Sequence, residues 1–156
     1  MIEQIDCDIA IVGAGTAGCV LADTLSRDSR LRVTLIEAGT APSSPLVSMP
    51  AGFAKLFRSK LDWAFESEPQ QHAGGRRIFI PRGRMLGGSA NLNAQIHQWG
   101  HPEDFSEWTR MGADGWGWSD VAPTFKRQES FADRAGDSVR GRDGPQSVSL
   151  NRHVHD

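Results

Sequence analysis

One stretch of the chain decides its fold: Cys7-Asp8-Ile9-Ala10-Ile11-Val12-Gly13-Ala14-Gly15-Thr16-Ala17-Gly18. It is an apolar run that ends in a G-x-G-x-x-G pattern. A second apolar run follows at 32–36, and Glu37 stands directly after it. This order is typical of a β-α-β unit that holds the ADP half of a dinucleotide. The sequence therefore predicts a strand over 7–12, a helix over 16–27, a strand over 32–37 and a bound FAD or NAD.

Each glycine of the motif has its own role in this interpretation. Gly13 permits a tight turn, Gly15 lets a pyrophosphate approach the backbone, and Gly18 lets the helix pack closely on the strand. The helix is expected to begin near Thr16, with its first N–H groups directed at the phosphates. Glu37 stands nineteen residues after Gly18. Its carboxylate is expected to bind the ribose hydroxyls and to repel a 2′-phosphate.

The same pattern predicts which side chains are buried. A short apolar strand bounded by a glycine turn is typical of a parallel strand that is covered on both faces. We interpret Cys7 and Cys19 as small buried side chains in a reducing compartment. The helix residues expected to face the sheet are Val20, Leu21, Thr24 and Leu25.

Composition and charge limit the classes of function. The 156 residues include 17 basic and 19 acidic side chains, a net charge of −2, and no run of Lys or Arg. This balance argues against a nucleic-acid-binding protein. No apolar stretch is long enough to span a membrane. The acidic N-terminus is not typical of a secretory signal, so we expect a cytoplasmic protein.

The regular alternation of strands and helices stops after Gly39. Beyond it the sequence predicts a short helix near 51–57, a strand over 77–80 and a helix from Pro102 to about Met111. A further helix is expected to run from an N-cap at Ser119 to about Glu129. Residues 132–147 are predicted to form a polar loop, followed by a strand over 147–150.

A second glycine-rich segment occupies residues 82–93, Arg-Gly-Arg-Met-Leu-Gly-Gly-Ser-Ala-Asn-Leu-Asn. Its glycines would let the backbone lie against a flat ligand, and Ser89 could cap a helix that points at this ligand. Asn93 could bind a ring edge or orient the loop. The alternative interpretation is a Gly-Gly turn that only connects a strand to a helix.

With both motifs in this order, the chain resembles the glucose–methanol–choline (GMC) family of FAD-dependent oxidoreductases. The resemblance implies an α/β fold: a Rossmann-like FAD-binding domain, a parallel sheet with a β-α-β unit, incomplete and with an irregular flavin-contacting extension. It assigns 1–145 to this domain and 146–156 to the start of a substrate-binding domain. The matching segments are 9–18, 35–39, 62–63 with 68–70, 81–89, 100–105 with Trp108, 115–118, 125–129 and 144–148.

The resemblance also implies a set of FAD-contacting residues and a non-covalent cofactor. Some members attach FAD through a His, and the resemblance places Leu92, which cannot form that bond, at the matching position. The chain departs from the usual family pattern at Ala90, His97 and Trp99, which leaves the substrate open. The implied contact residues are Gly13, Gly15, Thr16, Ala17, Gly18, Glu37, Ala38, Trp63, Arg82, Gly83, Met85, Gly87, Gly88, Asn91, Asn93, Ala94, Gln95 and Ile96.

The implied chemistry is oxidation of an alcohol CH–OH to a carbonyl. A base takes the hydroxyl proton while hydride passes to flavin N5. In the family this base is a His near the C-terminus of a chain several times longer. The resemblance therefore implies an N-terminal fragment, inactive alone, with no catalytic residue and no metal. Its partners would be a small-molecule alcohol and an electron acceptor, and the oligomeric state stays open.

Three alternatives to an active oxidoreductase remain open from the sequence. The first is a catalytically inactive flavin-binding remnant, and the second is an FAD-containing lyase of the same family. The third is an NAD-binding dehydrogenase domain, which the irregular chain after Glu37 disfavours.

The histidines and tryptophans carry further expectations. His97 is the best candidate to touch substrate, with a core or edge role as the alternative. His72 is expected to be exposed and His101 to cap the helix that follows it. His153 and His155 could form a weak metal site with Asp156 or a frayed tail. The tryptophans interpreted as packing anchors are Trp108, Trp116 and Trp118.

Overall fold

The structure is a computed structural model that describes residues 4–134 and 136–150. The chain divides into two compact units, Met1–Ile96 and His97–Asp156. The first unit contains both glycine-rich segments, and the second contains most of the tryptophans.

The first unit opens with the predicted strand, helix and strand, each shorter than the sequence suggests. Strand β1 spans Ile9–Val12, helix α1 spans Thr16–Leu25, and strand β2 spans Val33–Ile36. The two strands are parallel, and Ile9 to Val12 pair in register with Val33 to Ile36. The helix connects two parallel strands, which is the crossover that a β-α-β unit requires.

The prediction that β1 is buried on both faces is wrong. Only Ile11 of the strand is buried, and Val12 is 83% exposed. Among the described residues β1 pairs with β2 alone, so the sheet has two strands and leaves one face open. Of the α1 side chains expected to face the sheet, Leu25 is half-buried and the other three are exposed, namely Val20, Leu21 and Thr24.

The close approach of helix to sheet occurs instead at Gly18, the buried residue of α1. A Cβ atom at Gly18 would overlap the carbonyl oxygen of Gly13, which confirms the packing role predicted for this glycine. The cysteine prediction holds only in part, because Cys7 is half-buried and Cys19 is exposed. The Cys19 thiol lies 3.2 Å from the Ala14 carbonyl oxygen, to which it donates.

The rest of the first unit is built from short elements around a small core. Two 3-10 turns, Pro45–Ser48 and Pro50–Leu56, replace the short helix predicted near 51–57. Strand β3, Phe65–Glu66, pairs antiparallel with β4, Phe79–Ile80. Further 3-10 turns span Gln71–Ala73 and Gly88–Asn91. The buried core cluster consists of Leu56, Leu61, Met85 and Leu92.

The second unit begins with helix α2, Pro102–Arg110, as the sequence predicts. Pro102 occupies the first turn, where its missing N–H has no consequence. His101 is the N-cap: its Nδ1 accepts a hydrogen bond from the Glu103 N–H at 3.2 Å. Asp104 accepts in turn from the His101 N–H at 3.3 Å. The capping role predicted for His101 is therefore confirmed.

Helix α3 spans Trp118–Gln128, and the N-cap predicted at Ser119 is wrong. Gly117 is the cap residue, and the Asp120 carboxylate accepts a hydrogen bond from its N–H at 3.0 Å. The carboxylate three residues after the cap thus binds a backbone N–H at the start of the helix. A serine side chain at the cap position stabilises a helix start in a similar way.

A short parallel sheet closes the described part of the second unit. Strand β5, Glu129–Phe131, pairs with β6, Gln146–Val148. The strand predicted over 147–150 corresponds to β6, whereas β5 was not predicted. A 3-10 turn at Ala132–Arg134 and an irregular segment connect them, in agreement with the predicted loop.

An aromatic cluster packs between α2 and α3. The Phe105 and Trp118 ring centroids lie 5.5 Å apart, and those of Phe105 and Trp108 lie 5.1 Å apart. Trp99 and Phe125 extend the cluster. Trp118 thus acts as a packing anchor, as predicted, while Trp108 and Trp116 remain about half exposed. No helix in the described part of the chain is long and apolar enough to cross a membrane.

Candidate dinucleotide site

The glycine loop and the acid after β2 meet directly. The Glu37 Oε2 atom accepts a hydrogen bond from the Ala14 N–H at 2.8 Å, and Oε1 accepts one from the Gly39 N–H at 2.8 Å. The first bond holds the loop after β1 against the end of β2. A carboxylate has about four acceptor positions, so two bonds leave capacity for ligand hydroxyls.

The space beside Gly15 is open. Its N-cap conformation, with φ −79°, is one that an alanine adopts without strain. A Cβ atom at Gly15 would have no neighbour within 4 Å among the residues that the structure describes. Gly13, in contrast, needs glycine for its φ of +94°. Internal packing therefore gives no reason for glycine at position 15, and the open cradle beside it suits a ligand.

The N-terminus of α1 faces this space without a side-chain cap. Among the residues that the structure describes, no side chain accepts a hydrogen bond from its first amides, and its first turn contains no acid. Thr16 and Ala17 are exposed there. Free N–H groups and the positive end of the helix dipole make such a terminus a site for an anion such as a phosphate.

The two glycine-rich segments contact each other. The Gly87 N–H donates to the Ala14 carbonyl oxygen at 2.7 Å. A Cβ atom at Gly88 would lie 2.8 Å from the Gly15 Cα, and one at Gly83 would overlap the Gly88 backbone. The segment around 83–88 therefore packs backbone against backbone on the loop after β1, which only glycines permit.

A cavity of about 470 Å³ opens where these segments meet. Trp63 and Phe65 stack on its wall with ring centroids 5.7 Å apart, and the Arg84 guanidinium lies 4.8 Å from the Trp63 ring centre. Both rings are about half exposed. The residues that line the cavity are Val12, Gly13, Gly15, Ile36, Glu37, Ala38, Trp63, Phe65, Arg82, Gly83, Gly88 and Ser89.

Eight of these lining residues belong to the set implied by the sequence resemblance. The resemblance did not imply the four others. For three of them, the sequence contains a feature that could have indicated a place in the cavity. Val12 and Ile36 are the last residues of parallel strands, where ligands bind in open α/β sheets. Phe65 is an aromatic residue two positions after Trp63, close enough in sequence to share the same wall. Ser89 was expected to cap a helix, but its Oγ accepts from the Gly83 N–H at 3.1 Å.

Met85 belongs to the implied contact set but does not line the cavity. Its side chain is fully buried in the core with Leu56, Leu61 and Leu92, so it does not reach the cavity. An unbranched apolar side chain next to the glycines fills the space beneath the loop. Leu92 itself lies in this core, and it offers no atom for a covalent bond to a cofactor.

The asparagines and Gln95 line a different, smaller cavity of about 160 Å³. Asn91 donates to the Leu86 carbonyl oxygen at 2.8 Å, and Asn93 accepts from the Gln95 N–H at 2.8 Å. Asn93 thus orients its loop, one of the two roles expected for it. Ala94 and Ile96 are exposed and line neither cavity.

The second unit contains a buried carboxylate whose hydrogen-bond network was not predicted from the sequence. Glu129 is fully buried, and Arg140 donates to both of its oxygens at 2.7 Å. The Gly141 N–H and the Trp99 Nε1 also donate to it, at 2.8 and 3.0 Å. Burial raises the pKa of Glu129, but the Arg140 and Gly141 hydrogen bonds outweigh it and lower the pKa from 4.5 to about 2.

His97 belongs to this polar cluster. Its Nε2 lies 3.2 Å from Glu129 Oε2, and its Nδ1 lies 3.3 Å from Gln146 Nε2. Both ring nitrogens therefore have partners within the second unit, which favours the core or edge role for this histidine. His72 is exposed, as expected, and His153 and His155 lie outside the described residues. Within 4–134 and 136–150, no cluster of His, Cys, Asp or Glu could hold a metal ion.

Comparison with known proteins identifies the family. The family model for GMC oxidoreductase matches residues 7–154, so the chain belongs to the GMC oxidoreductase family. This membership decides against the NAD-binding dehydrogenase domain that the sequence left open.

Among its relatives, the chain is 46% identical to an alcohol dehydrogenase [acceptor] of Pseudomonas putida over 91% of its own length. It is 42% identical to an oxygen-dependent choline dehydrogenase of Sinorhizobium fredii over 90% of its length. The chain spans 26% of the length of each of these two proteins.

Solved structures show the same fold. A pyridoxine 4-oxidase from Mesorbium loti matches with a TM-score of 0.85 and 40% identity, over 91% of this chain and 28% of its own. A formate oxidase from Aspergillus oryzae, described in a study of FAD modification, matches with a TM-score of 0.85 and 27% identity. That match covers 99% of this chain and 28% of the oxidase.

Proposed function

We propose that the first unit binds FAD and belongs to an oxidoreductase that acts on the CH–OH group of donors. FAD is the cofactor that the GMC family indicates. The observation that carries the proposal is the contact between Glu37 and Ala14 beside the open cradle at Gly15. Family membership and the P. putida alcohol dehydrogenase support the reaction class.

The ADP half of FAD fits the glycine loop. The pyrophosphate would lie against the first turn of α1, where Gly15, Thr16 and Ala17 present backbone without a capping side chain. The ribose hydroxyls would donate to the Glu37 carboxylate, which keeps free acceptor positions. The negative charge of Glu37 disfavours a 2′-phosphate, and this selects FAD or an unphosphorylated nucleotide.

Trp63 and Phe65 give the cavity wall a flat apolar surface. The stacked Trp63 and Phe65 rings are half exposed, a costly arrangement in water unless a ligand covers them. Arg82 and Gly83 continue this wall. We therefore assign the wall to contact with FAD and expect the cofactor to be held non-covalently.

When bound, FAD would supply the acceptor for the two electrons removed from an alcohol. The described histidines are not placed to act as the base: His72 is exposed, His101 caps α2, and His97 is bound to Glu129 and Gln146. We propose that residues 1–145 form the FAD-binding domain, with the cofactor contacts in the first unit, and that 146–156 begin a substrate-binding region. We expect the 156-residue chain alone to bind FAD without oxidising alcohols.

The proposal is tested in two steps. The purified chain is mixed with FAD, desalted and denatured in acid; we expect flavin absorption to remain with the native protein and to be released on denaturation. The longest natural protein that contains this sequence is then mixed with alcohols without oxygen, and its flavin bands should bleach. A chain that retains no flavin contradicts the cofactor assignment, and a bound flavin that no alcohol reduces contradicts the reaction class.

A further inference from the structure

Asp62 is a buried carboxylate whose partners are backbone amides. It is 6% exposed. Its Oδ2 atom accepts from the Arg58 N–H at 2.8 Å, and its Oδ1 accepts from the N–H groups of Ala64 and Arg82, both at 2.9 Å. Burial raises the pKa of Asp62, but these three donors outweigh it and hold the pKa below its usual range.

Two of the three donors lie in strained backbone. Arg58 has a φ of 56° and Ala64 a φ of 50°, in the left-handed region that favours glycine. Non-glycine residues remain in this region only where surrounding contacts hold them there. The hydrogen bonds to Asp62 restrain both residues directly, and so they fix the turn on either side of this carboxylate.

The same carboxylate joins the two segments that form the aromatic wall of the cavity. Trp63 follows Asp62 in sequence, and the Trp63 N–H donates to the Arg82 carbonyl oxygen at 2.8 Å. The Arg84 N–H donates to the Leu61 carbonyl oxygen at 2.8 Å. With the bond from the Arg82 N–H to Asp62, these contacts hold 61–65 against 82–84. The Asp62 side chain itself does not line the cavity.

We propose that Asp62 is a positioning residue of the FAD site: it fixes the Trp63–Arg82 wall without contacting the cofactor. This inference rests on the proposed function. It assigns to a buried carboxylate a role in cofactor affinity that lies outside the glycine motif and outside the cavity lining.

The test is Asp62→Asn, which keeps the shape of the side chain. Asparagine retains one oxygen for Ala64 and Arg82, but its NH2 group would face the Arg58 N–H, so two donors would oppose each other. We expect the dissociation constant for FAD to rise about tenfold, because a wall that is no longer fixed must be ordered when FAD binds. Amide hydrogen exchange at Arg58, Ala64 and Arg82 should accelerate in the variant.

Two control variants separate positioning from general stability. Glu66→Gln removes an exposed carboxylate that binds the Arg58 guanidinium at 3.0 Å, and Leu56→Val trims the core of the same unit. Both should retain the FAD affinity of the parent chain. If Leu56→Val weakens FAD as much as Asp62→Asn does, Asp62 is only a stabilising residue and the inference is overturned.

A second pair of variants serves if Asp62→Asn unfolds. Arg58→Gly removes the cost of the left-handed φ, because glycine adopts it freely. We expect Arg58→Gly to bind FAD like the parent chain and Arg58→Gly/Asp62→Asn to bind it about tenfold more weakly, because only the double variant leaves the wall to be ordered on binding. If the single and the double variant bind FAD equally well, Asp62 has no positioning role, while the proposed function stands. If the parent chain does not bind FAD, the proposed function itself is wrong.

Discussion

The Glu37 carboxylate at the end of β2 accepts a hydrogen bond of 2.8 Å from the Ala14 N–H in the loop after β1. The two residues are 23 positions apart in sequence. Their contact fixes the glycine loop relative to the acid before any ligand is bound. A site that is already formed loses less entropy when its ligand binds. The same carboxylate therefore orders the loop and, in our proposal, contacts the ribose.

Replacement of Glu37 by Gln should weaken FAD binding. One amide oxygen would replace two carboxylate oxygens that now serve the N–H groups of Ala14 and Gly39, and the charge would be lost. We expect the dissociation constant for FAD to rise about tenfold or more. A titration that follows the fluorescence of FAD measures it.

The matched control for this variant is Asp23→Asn, an exposed carboxylate on α1 that pairs with Arg27. Surface pairs of this kind contribute little to stability, so the affinity for FAD should stay at the parent value. Equal affinity of Glu37→Gln and the parent chain would remove Glu37 from the site.

Alanine at Gly15 and at Gly18 should have opposite effects. At Gly15 the backbone suits alanine and the added methyl group meets no described atom, so thermal stability should stay or rise slightly. FAD binding should fall at least tenfold if the cradle holds the pyrophosphate, because each 1.4 kcal/mol of lost contact is tenfold in affinity. At Gly18 the methyl group would overlap the Gly13 carbonyl, so the chain should lose stability.

Differential scanning calorimetry without ligand and an FAD titration distinguish these effects. Gly136→Ala, in the second unit, controls for a methyl group added at a glycine that has open space around it and no positive φ. A Gly15→Ala chain that binds FAD as tightly as the parent would show that the open space has no role in binding.

The sequence alone predicts the helices and strands that are marked by characteristic residue types at their ends. The spacing of the glycines and the position of Glu37 predict β1, α1 and β2. Only glycine suits the tight turn and the close approach, and an acidic residue is needed after the second strand. Pro102 with acids behind it, preceded by His101, predicts the start of α2 for the same reason. Gly13, Gly15 and Glu37, which line the cavity, follow directly from this motif.

Long-range packing is what the sequence does not reveal. Nothing near Met85 distinguishes a core side chain from one that faces a ligand, and Leu56 and Leu61 from an earlier segment bury it together with Leu92. Glu129 ends a helical pattern, but its role depends on Arg140, eleven residues away. Asp62 depends on Arg82, twenty residues away. Such partners are set by how the loops fold, and no periodicity predicts them.

The buried Glu129 should make the second unit sensitive to acid. A carboxyl whose pKa is lowered from 4.5 to about 2 adds stability that is complete above pH 4.5 and is lost as the pH falls towards 2. The expected loss is roughly 3 kcal/mol. Urea unfolding monitored at the tryptophans between pH 6 and pH 2, at about 25 °C, measures this dependence.

Glu129→Gln is the variant that isolates this effect. The amide cannot ionise, so the variant should be less stable than the parent chain above pH 5 and should lose much less stability on acidification. Glu103→Gln, an exposed carboxylate on α2, should keep the parent profile. If the pH profiles of Glu129→Gln and the parent chain run parallel, Glu129 does not cause the acid sensitivity.

His101 and His72 form a second matched pair. His101→Ala removes the acceptor for the Glu103 N–H at the start of α2 and should cost about 1 kcal/mol, the usual value of an N-cap. His72→Ala, in an exposed 3-10 turn, should leave the unfolding free energy within about 0.5 kcal/mol. Equal unfolding curves for the two variants would contradict the capping role.

The most direct measurement is competition for FAD on the intact chain. Bound FAD is titrated with ADP and, separately, with flavin mononucleotide. If the loop after β1 and Glu37 hold the adenosine diphosphate, ADP displaces FAD in a saturable, one-to-one manner, and flavin mononucleotide does so far less well. Displacement by flavin mononucleotide but not by ADP, or the absence of saturable FAD binding, would contradict this account.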